Sequence, residues 1–286
     1  MSSNLKGILW ALLAACLFSI GVAMAKHAAF EFHVLQILFF RQLVVFLSVV
    51  PELARDLPNQ LKTAHPGLHL IRLTGAFTAL AGGIWAVTVL PFSTAVTLGF
   101  AQVFFVTLLA ALFLGERVGP YRVGAVVVGF LGVVVAMRPG AEGVLDLNAL
   151  IPIAGAFGAG VAIVSVRRLS QTESTATLLA WQALFVGALS GVPMLWFWVT
   201  PGLGDLAFLL AMGIVAATGQ WIGVRAIRLG EAVVIGPIEY TKLIYATVIG
   251  YFAFAELPDV WTVTGAAIIV GSALFILYRE RRVSSR

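Results

Sequence analysis

Glu239 and Lys242 lie three residues apart inside the apolar run from Gly236 to Glu256. On a helix that spacing puts both side chains on one face. A carboxylate and an ammonium presented together can match the two charges of a zwitterion such as an amino acid. Ionised groups inside a membrane are costly, roughly 2.5–3.5 kcal/mol each on insertion scales, and so mark candidate sites. Two plainer readings stand beside this one. The pair neutralises itself, or Glu239 is held by Arg41 in "LQILFFRQLVVF". Arg41 is about eight residues from either end of its run, too deep to stretch to water, and needs a partner.

Pro237 and Gly236 stand just before the pair. Proline removes a backbone donor and leaves a carbonyl near Val233 without its usual partner, which softens the helix where the charges sit. Polar and aromatic residues of other runs are candidates to line a binding space with them: Ser19, Trp85, Gln102, Gln220, Trp221, Tyr240 and Tyr245. Gln102 holds roughly the place in the fourth apolar run that Lys242 holds in the ninth. Aromatic faces hold apolar groups and also ammonium ions. Tryptophan and tyrosine equally favour bilayer interfaces, which is the plainer use of Trp85 and Trp221. Glu116 and Glu256, each at the end of an apolar run, are candidates for gating and for proton coupling, or are helix-terminal residues in water.

Other chemistry is thinly represented. Cys16 is the single cysteine, so neither an intrachain disulfide nor a cysteine metal site is available. The four histidines lack ligand spacing, and no metal or cofactor is expected. No phosphate-binding G-x-x-x-x-G-K-[ST] loop, H-E-x-x-H or G-x-S-x-G motif occurs. An intramembrane enzyme would have to be built from Glu239, Lys242 and Arg41 alone, and the chain is not expected to be one.

The elements that position these residues follow from composition. Of 286 residues, 60% are hydrophobic and 11% charged, where a soluble domain carries about a quarter charged residues. Mean hydropathy is +1.02. Ten apolar runs fall at roughly 5–25, 33–50, 70–90, 94–114, 120–137, 148–166, 176–199, 205–226, 233–255 and 260–278, near the length that crosses a bilayer. Period-2 alternation is absent, which argues against a barrel. With the N-terminus cytoplasmic, 14 of the 18 basic residues fall at cytoplasmic ends. Lys26 and Arg138 fall outside, and Arg41 and Lys242 lie within spans. This asymmetry sets the orientation, places both termini in the cytoplasm and accounts for the basic pI without nucleic acid.

Residues 1–139 and 147–286 read as two repeats of five spans. "LLAALFLGERVGPYRVGAVVVGFLGVVVAMRPG" and "VIGYFAFAELPDVWTVTGAAIIVGSALFILYRE" share an apolar run, a small residue, a glutamate (Glu116, Glu256), a short turn and a span rich in small residues. "KHAAFE" after the first span parallels "RLSQTE" after the sixth. Five spans per repeat force the second copy to insert upside down. The predicted fold is therefore all-α, with ten transmembrane helices as two inverted five-helix repeats around a central cavity. Such inverted repeats, and helices broken at membrane depth, characterise secondary transporters.

These residues resemble the drug/metabolite transporter superfamily, in its ten-span EamA-type branch of bacterial metabolite exporters. The likeness covers the whole chain. It is carried by "LFFRQLVVFL", "ALFLGERVGPYRVGAVVVGFLGVVV", "AVVIGPIEY" and "FAFAELPDVWTVTGAAIIVGS", and within the branch the chain is similar to YddG-like exporters of aromatic amino acids. The resemblance implies a cavity between spans 1, 3, 4, 6, 8 and 9, a scaffold role for Arg41, and a place in the bacterial inner membrane. The function expected is export of amino acids or related small metabolites across the bilayer by alternating access. A nucleotide-sugar or sugar-phosphate carrier is the alternative, which the lone clear cation Lys242 disfavours.

Overall fold

The computed structural model describes residues 3–54, 63, 65–115, 120–137, 147–229 and 236–284. The described chain is helical. In order come α1 (Ser3–Ala28), α2 (Val34–Leu53), α3 (Pro66–Val89), α4 (Phe92–Gly99), α5 (Gln102–Leu114) and α6 (Pro120–Ala136). They are followed by α7 (Leu150–Leu169), α8 (Thr175–Met194), α9 (Leu203–Leu229), α10 (Thr241–Phe254) and α11 (Val260–Ser284). Short 3₁₀ turns at Leu147–Ala149 and Gly236–Tyr240 precede α7 and α10. Helices satisfy every backbone group internally, which an apolar solvent demands. Among the described residues seven segments are long and apolar enough to cross a membrane, and Phe92–Leu114 counts among them as one. Val123–Ala136 and Val260–Phe275 are shorter apolar helices.

Local chemistry sets several boundaries. His33 Nδ1 accepts from the Leu35 N–H at the start of α2, and Ser174 Oγ accepts from the Thr177 N–H at the start of α8, both as N-caps. The segments that carry the glutamates end alike. Gly115 closes α5 at φ 66°, and Ala255 closes α10 at φ 54°. A left-handed residue lets the last carbonyls find partners, and for alanine it costs about 1–2 kcal/mol.

Four helix pairs make the frame: α1 on α9, α2 on α8, α3 on α7, and α6 on α11. In lipid there is no hydrophobic drive between helices, so close backbone approach supplies the packing. At the α3–α7 seam a Cβ on Gly75 would lie 2.7 Å from the Gly158 carbonyl oxygen. At the α6–α11 seam a Cβ on Gly265 would lie 2.6 Å from both Ala136 Cβ and the Gly132 carbonyl oxygen. Gly132 and Gly265 thus serve packing between the last described helices of the two repeats. Gly124 and Gly271 face open space and do not. Buried Gln36 fixes the connection after α8, with its Nε2 donating to the Val199 carbonyl at 2.7 Å and its Oε1 accepting from the Val199 N–H at 3.1 Å.

Two segments carry short 3₁₀ stretches. Between α4 and α5 the bonds shorten to 3₁₀ type, Phe100 N–H to the Thr97 carbonyl and Ala101 N–H to that of Leu98. Between Gly236–Tyr240 and α10 the 3₁₀ turn passes into α-helix. Pro237 lies in this 3₁₀ turn, and Val233, whose carbonyl the softening is expected to free, lies outside the described residues. The break before Gln102 has no proline at it. Mid-helix 3₁₀ stretches often mark functional hinges.

Candidate functional site

Both breaks open on one cavity of about 450 Å³, within the range of roughly 300–1,000 Å³ usual for small-molecule sites. Its walls come from α1, α3, the α4–α5 break, α7, α9 and the start of α10, the six spans expected. Arg41 of α2 and Gln182 of α8 also reach it. The lining is mostly small and apolar, from Ala14, Gly83, Gly155, Ala159 and their neighbours, with Phe18 and Phe100 as the aromatic faces. The two glycines of "LAGGIW" divide the work. Gly82 packs on Gly155 of α7, and Gly83 faces open space in the cavity.

Of the nine residues singled out as binding candidates, Glu239, Lys242, Gln102 and Gln220 line this cavity. Lys242 Nζ donates to Glu239 Oε2 and lies 4.3 Å from the Phe18 ring centroid. Its partner is therefore Glu239, and Glu239 is not held by Arg41. The Glu239 side chain is 45% exposed against 16% for Lys242, which leaves the carboxylate with a free flank.

Ser19, Trp85, Tyr240, Tyr245 and Trp221 are not among the lining residues, and each has another use. Ser19 is buried and donates to the Ala15 carbonyl of its own helix at 3.0 Å. Trp85 is 53% exposed on the outer face of α3. Trp221 is also exposed, with its Nε1 donating to Ser48 Oγ at 3.4 Å. Tyr240 tilts over Phe100, centroids 5.2 Å apart, so it backs the aromatic wall. Tyr245 Oη donates to the Leu12 carbonyl at 3.5 Å. Pro237 and Gly236 lie on the 3₁₀ turn.

Glu256 has partners that sequence spacing hides. Lys26 Nζ donates to its Oε1 at 2.6 Å, and the Phe92 N–H donates to its Oε2 at 2.7 Å. Lys26 also lies 4.9 Å from the Phe254 ring centroid and is 7% exposed. One carboxylate thus joins the end of α1, the start of α4 and the end of α10. Lys26 follows cavity-lining Ala25, and Ala95 lies on the lining one turn after Phe92, so this cluster sits next to that end of the cavity. Glu116 lies outside the described residues.

At the other end of α3 a second polar group is buried. His69 Nε2 and Glu173 Oε2 are 2.5 Å apart, Thr63 Oγ1 donates to Glu173 Oε1 at 2.6 Å, and Arg72 Nη2 donates to Gln182 Oε1 at 3.2 Å. Gln182 also lies on the cavity wall. Among the described residues no group of three or more His, Cys, Asp or Glu is placed to hold a metal ion.

A cavity among the long apolar helices, lined by two 3₁₀ stretches and adjoined by an ion pair, suits the carrying of a solute. Comparison with known proteins agrees. The profile of the EamA-like transporter family matches residues 5–138 and again 147–278. The chain belongs to the EamA-like transporter family. It is 29% identical, over 100% of its length and 97% of the relative's, to the S-adenosylmethionine uptake transporter of Rickettsia prowazekii. It is 27% identical to the riboflavin transporter of Brucella anthropi, over 87% of this chain and 89% of the relative. It is 29% identical to the pseudopaline exporter of Pseudomonas aeruginosa, over 93% of each. A solved structure superposes with a TM-score of 0.65 at 20% identity, over 98% of this chain and 99% of the other, a likeness of fold. The protein is thus a multi-pass membrane transporter of the family expected. The relatives' names include both uptake and export and three cargoes, and they do not support amino-acid export as such.

Proposed function

We propose that this EamA-like transporter is a secondary carrier of small amphipathic metabolites that works by alternating access. Ten spans form two inverted halves, 1–139 and 147–286, in a bacterial inner membrane with both termini cytoplasmic. Three observations support the arrangement. The basic residues alternate as ten spans require. The family profile matches once in each half. The helix packing also maps onto itself when the halves are exchanged. The first span pairs with the eighth as the sixth does with the third, while the second pairs with the seventh and the fifth with the tenth.

The observation that supports the mechanism is the Lys26–Glu256 ion pair adjoining cavity-lining Ala25, and the reading is that this pair closes that end of the cavity. Closure there while the cargo site stays at mid-depth is one half of an alternating cycle. The exchange of halves supplies the other. Glu256 acts as a gate, and the two breaks, before Gln102 and before Thr241, act as hinges.

The lining bears on the cargo. Glu239, Lys242, Gln102 and Gln220 suit a polar head, and the apolar wall with Phe18 and Phe100 suits a flat ring. S-adenosylmethionine, named for a relative, joins an amino-acid head to an adenine and is the first cargo to test. Purified protein in liposomes loaded with unlabelled S-adenosylmethionine should accumulate the labelled compound by counterflow, saturably, with competition by aromatic amino acids and riboflavin measured alongside. Glu239→Ala and Lys242→Ala should each weaken that flux. Flux equal to protein-free liposomes for every compound tried would reject the reading, and full flux in both variants would remove the pair from the site.

A further inference from the structure

Arg41 is the cavity-lining charge with no ion-pair partner among the described residues. It sits within α2, and both it and Gln182 reach the lining. Its Nε is buried without a hydrogen-bond partner. The cavity's carboxylate, Glu239, is engaged by Lys242, and Gln182 Oε1 already accepts from Arg72 at 3.2 Å. Among the described residues the lining therefore holds Lys242 and Glu239 as a neutral pair and Arg41 as one net positive charge.

That charge cannot be shed, because guanidinium stays protonated under all ordinary conditions. Left unmet at membrane depth it is costly. A scaffold arginine would be expected to carry its own carboxylate or a set of carbonyls. This one lies on the wall of a space large enough for a small molecule.

Building on the transporter reading above, we propose that Arg41 is the anchor for a carboxylate of the cargo. The guanidinium fork matches a carboxylate with two parallel hydrogen bonds. The arrangement then assigns the two ends of a zwitterionic head. Its carboxylate goes to Arg41, and its ammonium goes to the exposed flank of Glu239. The two anchors enter from different sides, since α2 packs on α8 and α9 while α10 packs on α1 and α4. A cargo holding both would bridge helices that belong to different halves. Carboxylate-bearing metabolites are thereby selected over otherwise similar amines. Lys242 serves to poise Glu239 and not to hold the anion.

The test uses S-adenosylmethionine and decarboxylated S-adenosylmethionine, which share ring, ribose, sulfonium and amine and differ in the carboxylate. Affinity for each is measured as competition for counterflow by the full-length protein in liposomes. Wild type should prefer the carboxylated compound by about 10–100-fold, the range for a charge-assisted contact. Arg41→Gln should bring that ratio close to one, and Arg41→Lys should restore part of it. A variant that lowers both affinities by the same factor, leaving the ratio intact, would overturn the proposal and return Arg41 to a structural role. So would a wild type that does not discriminate while still transporting both, an outcome that leaves the transporter reading standing. A wild type that carries neither compound rejects this cargo class, and the proposal falls with it.

Discussion

Replacing Glu256 by glutamine removes one charge and keeps the side chain's shape. The structure says what that should do. Lys26, 7% exposed, would lose its only carboxylate partner among the described residues. Breaking a buried pair from one side costs about 3–5 kcal/mol. The Glu256 side chain is 28% exposed, and exposed pairs contribute about 0–1 kcal/mol, so about 2 kcal/mol is a reasonable middle value for this pair. That cost falls only on conformations in which the ends of α1, α4 and α10 are drawn together. The balance should move toward conformations open at that end by about 30-fold, at 1.4 kcal/mol per decade. The readout is a cysteine placed at cavity-lining Ala95 in a Cys16→Ser background, labelled by an impermeant maleimide added on the Lys26 side. Labelling should quicken by about 10–30-fold in Glu256→Gln and return toward the parental rate when Lys26→Glu is combined with Glu256→Lys. An unchanged rate in a folded Glu256→Gln protein would refute the idea that this pair closes the cavity.

Other outcomes follow from the same geometry. Gly265→Leu should lower thermal stability by about 1–3 kcal/mol or more, because its Cβ alone would already lie 2.6 Å from Ala136 and the Gly132 carbonyl, whereas Gly271→Leu, in open space, should be nearly neutral in the same melt. Ala255→Gly should stabilise the protein by about 1 kcal/mol, since alanine there is held at φ 54°; an unfolding midpoint that falls would show that the strain is not there. Gln220→Ala should weaken cargo binding measured by counterflow competition, and Trp85→Ala, on the outer face of α3, should leave it unchanged.

The sequence carries the architecture well for a physical reason. Lipid forces helices, so the all-helical fold and its long apolar segments could be read directly, as could the likeness of the "LGE" and "FAE" ends. Proline at 237 lies in the 3₁₀ turn before α10. Glu239, Lys242, Gln102 and Gln220 were legible because polar groups are conspicuous in an apolar run. Aromatic residues were not, since Trp85 and Trp221 look the same whether they face cargo or lipid. Contacts between distant spans were also hidden. Nothing near Glu256 in the chain points to Lys26, 230 residues away, and nothing near Glu173 points to His69. The break before Gln102 had no proline to mark it, although its place opposite the ninth-span break could have suggested it. Gln182 is a single polar residue among many, and only the fold shows it on the cavity wall that Arg41 also reaches.

The central claim is that one cavity is opened to each side in turn by movement of the halves. Cysteines placed at Lys26 and Glu256 in a Cys16→Ser background, joined by a short thiol-reactive cross-linker, test it most directly. With that end held shut, counterflow should stop and should return when a cleavable linker is cut. Undiminished flux through the cross-linked protein would contradict alternating access through this cavity.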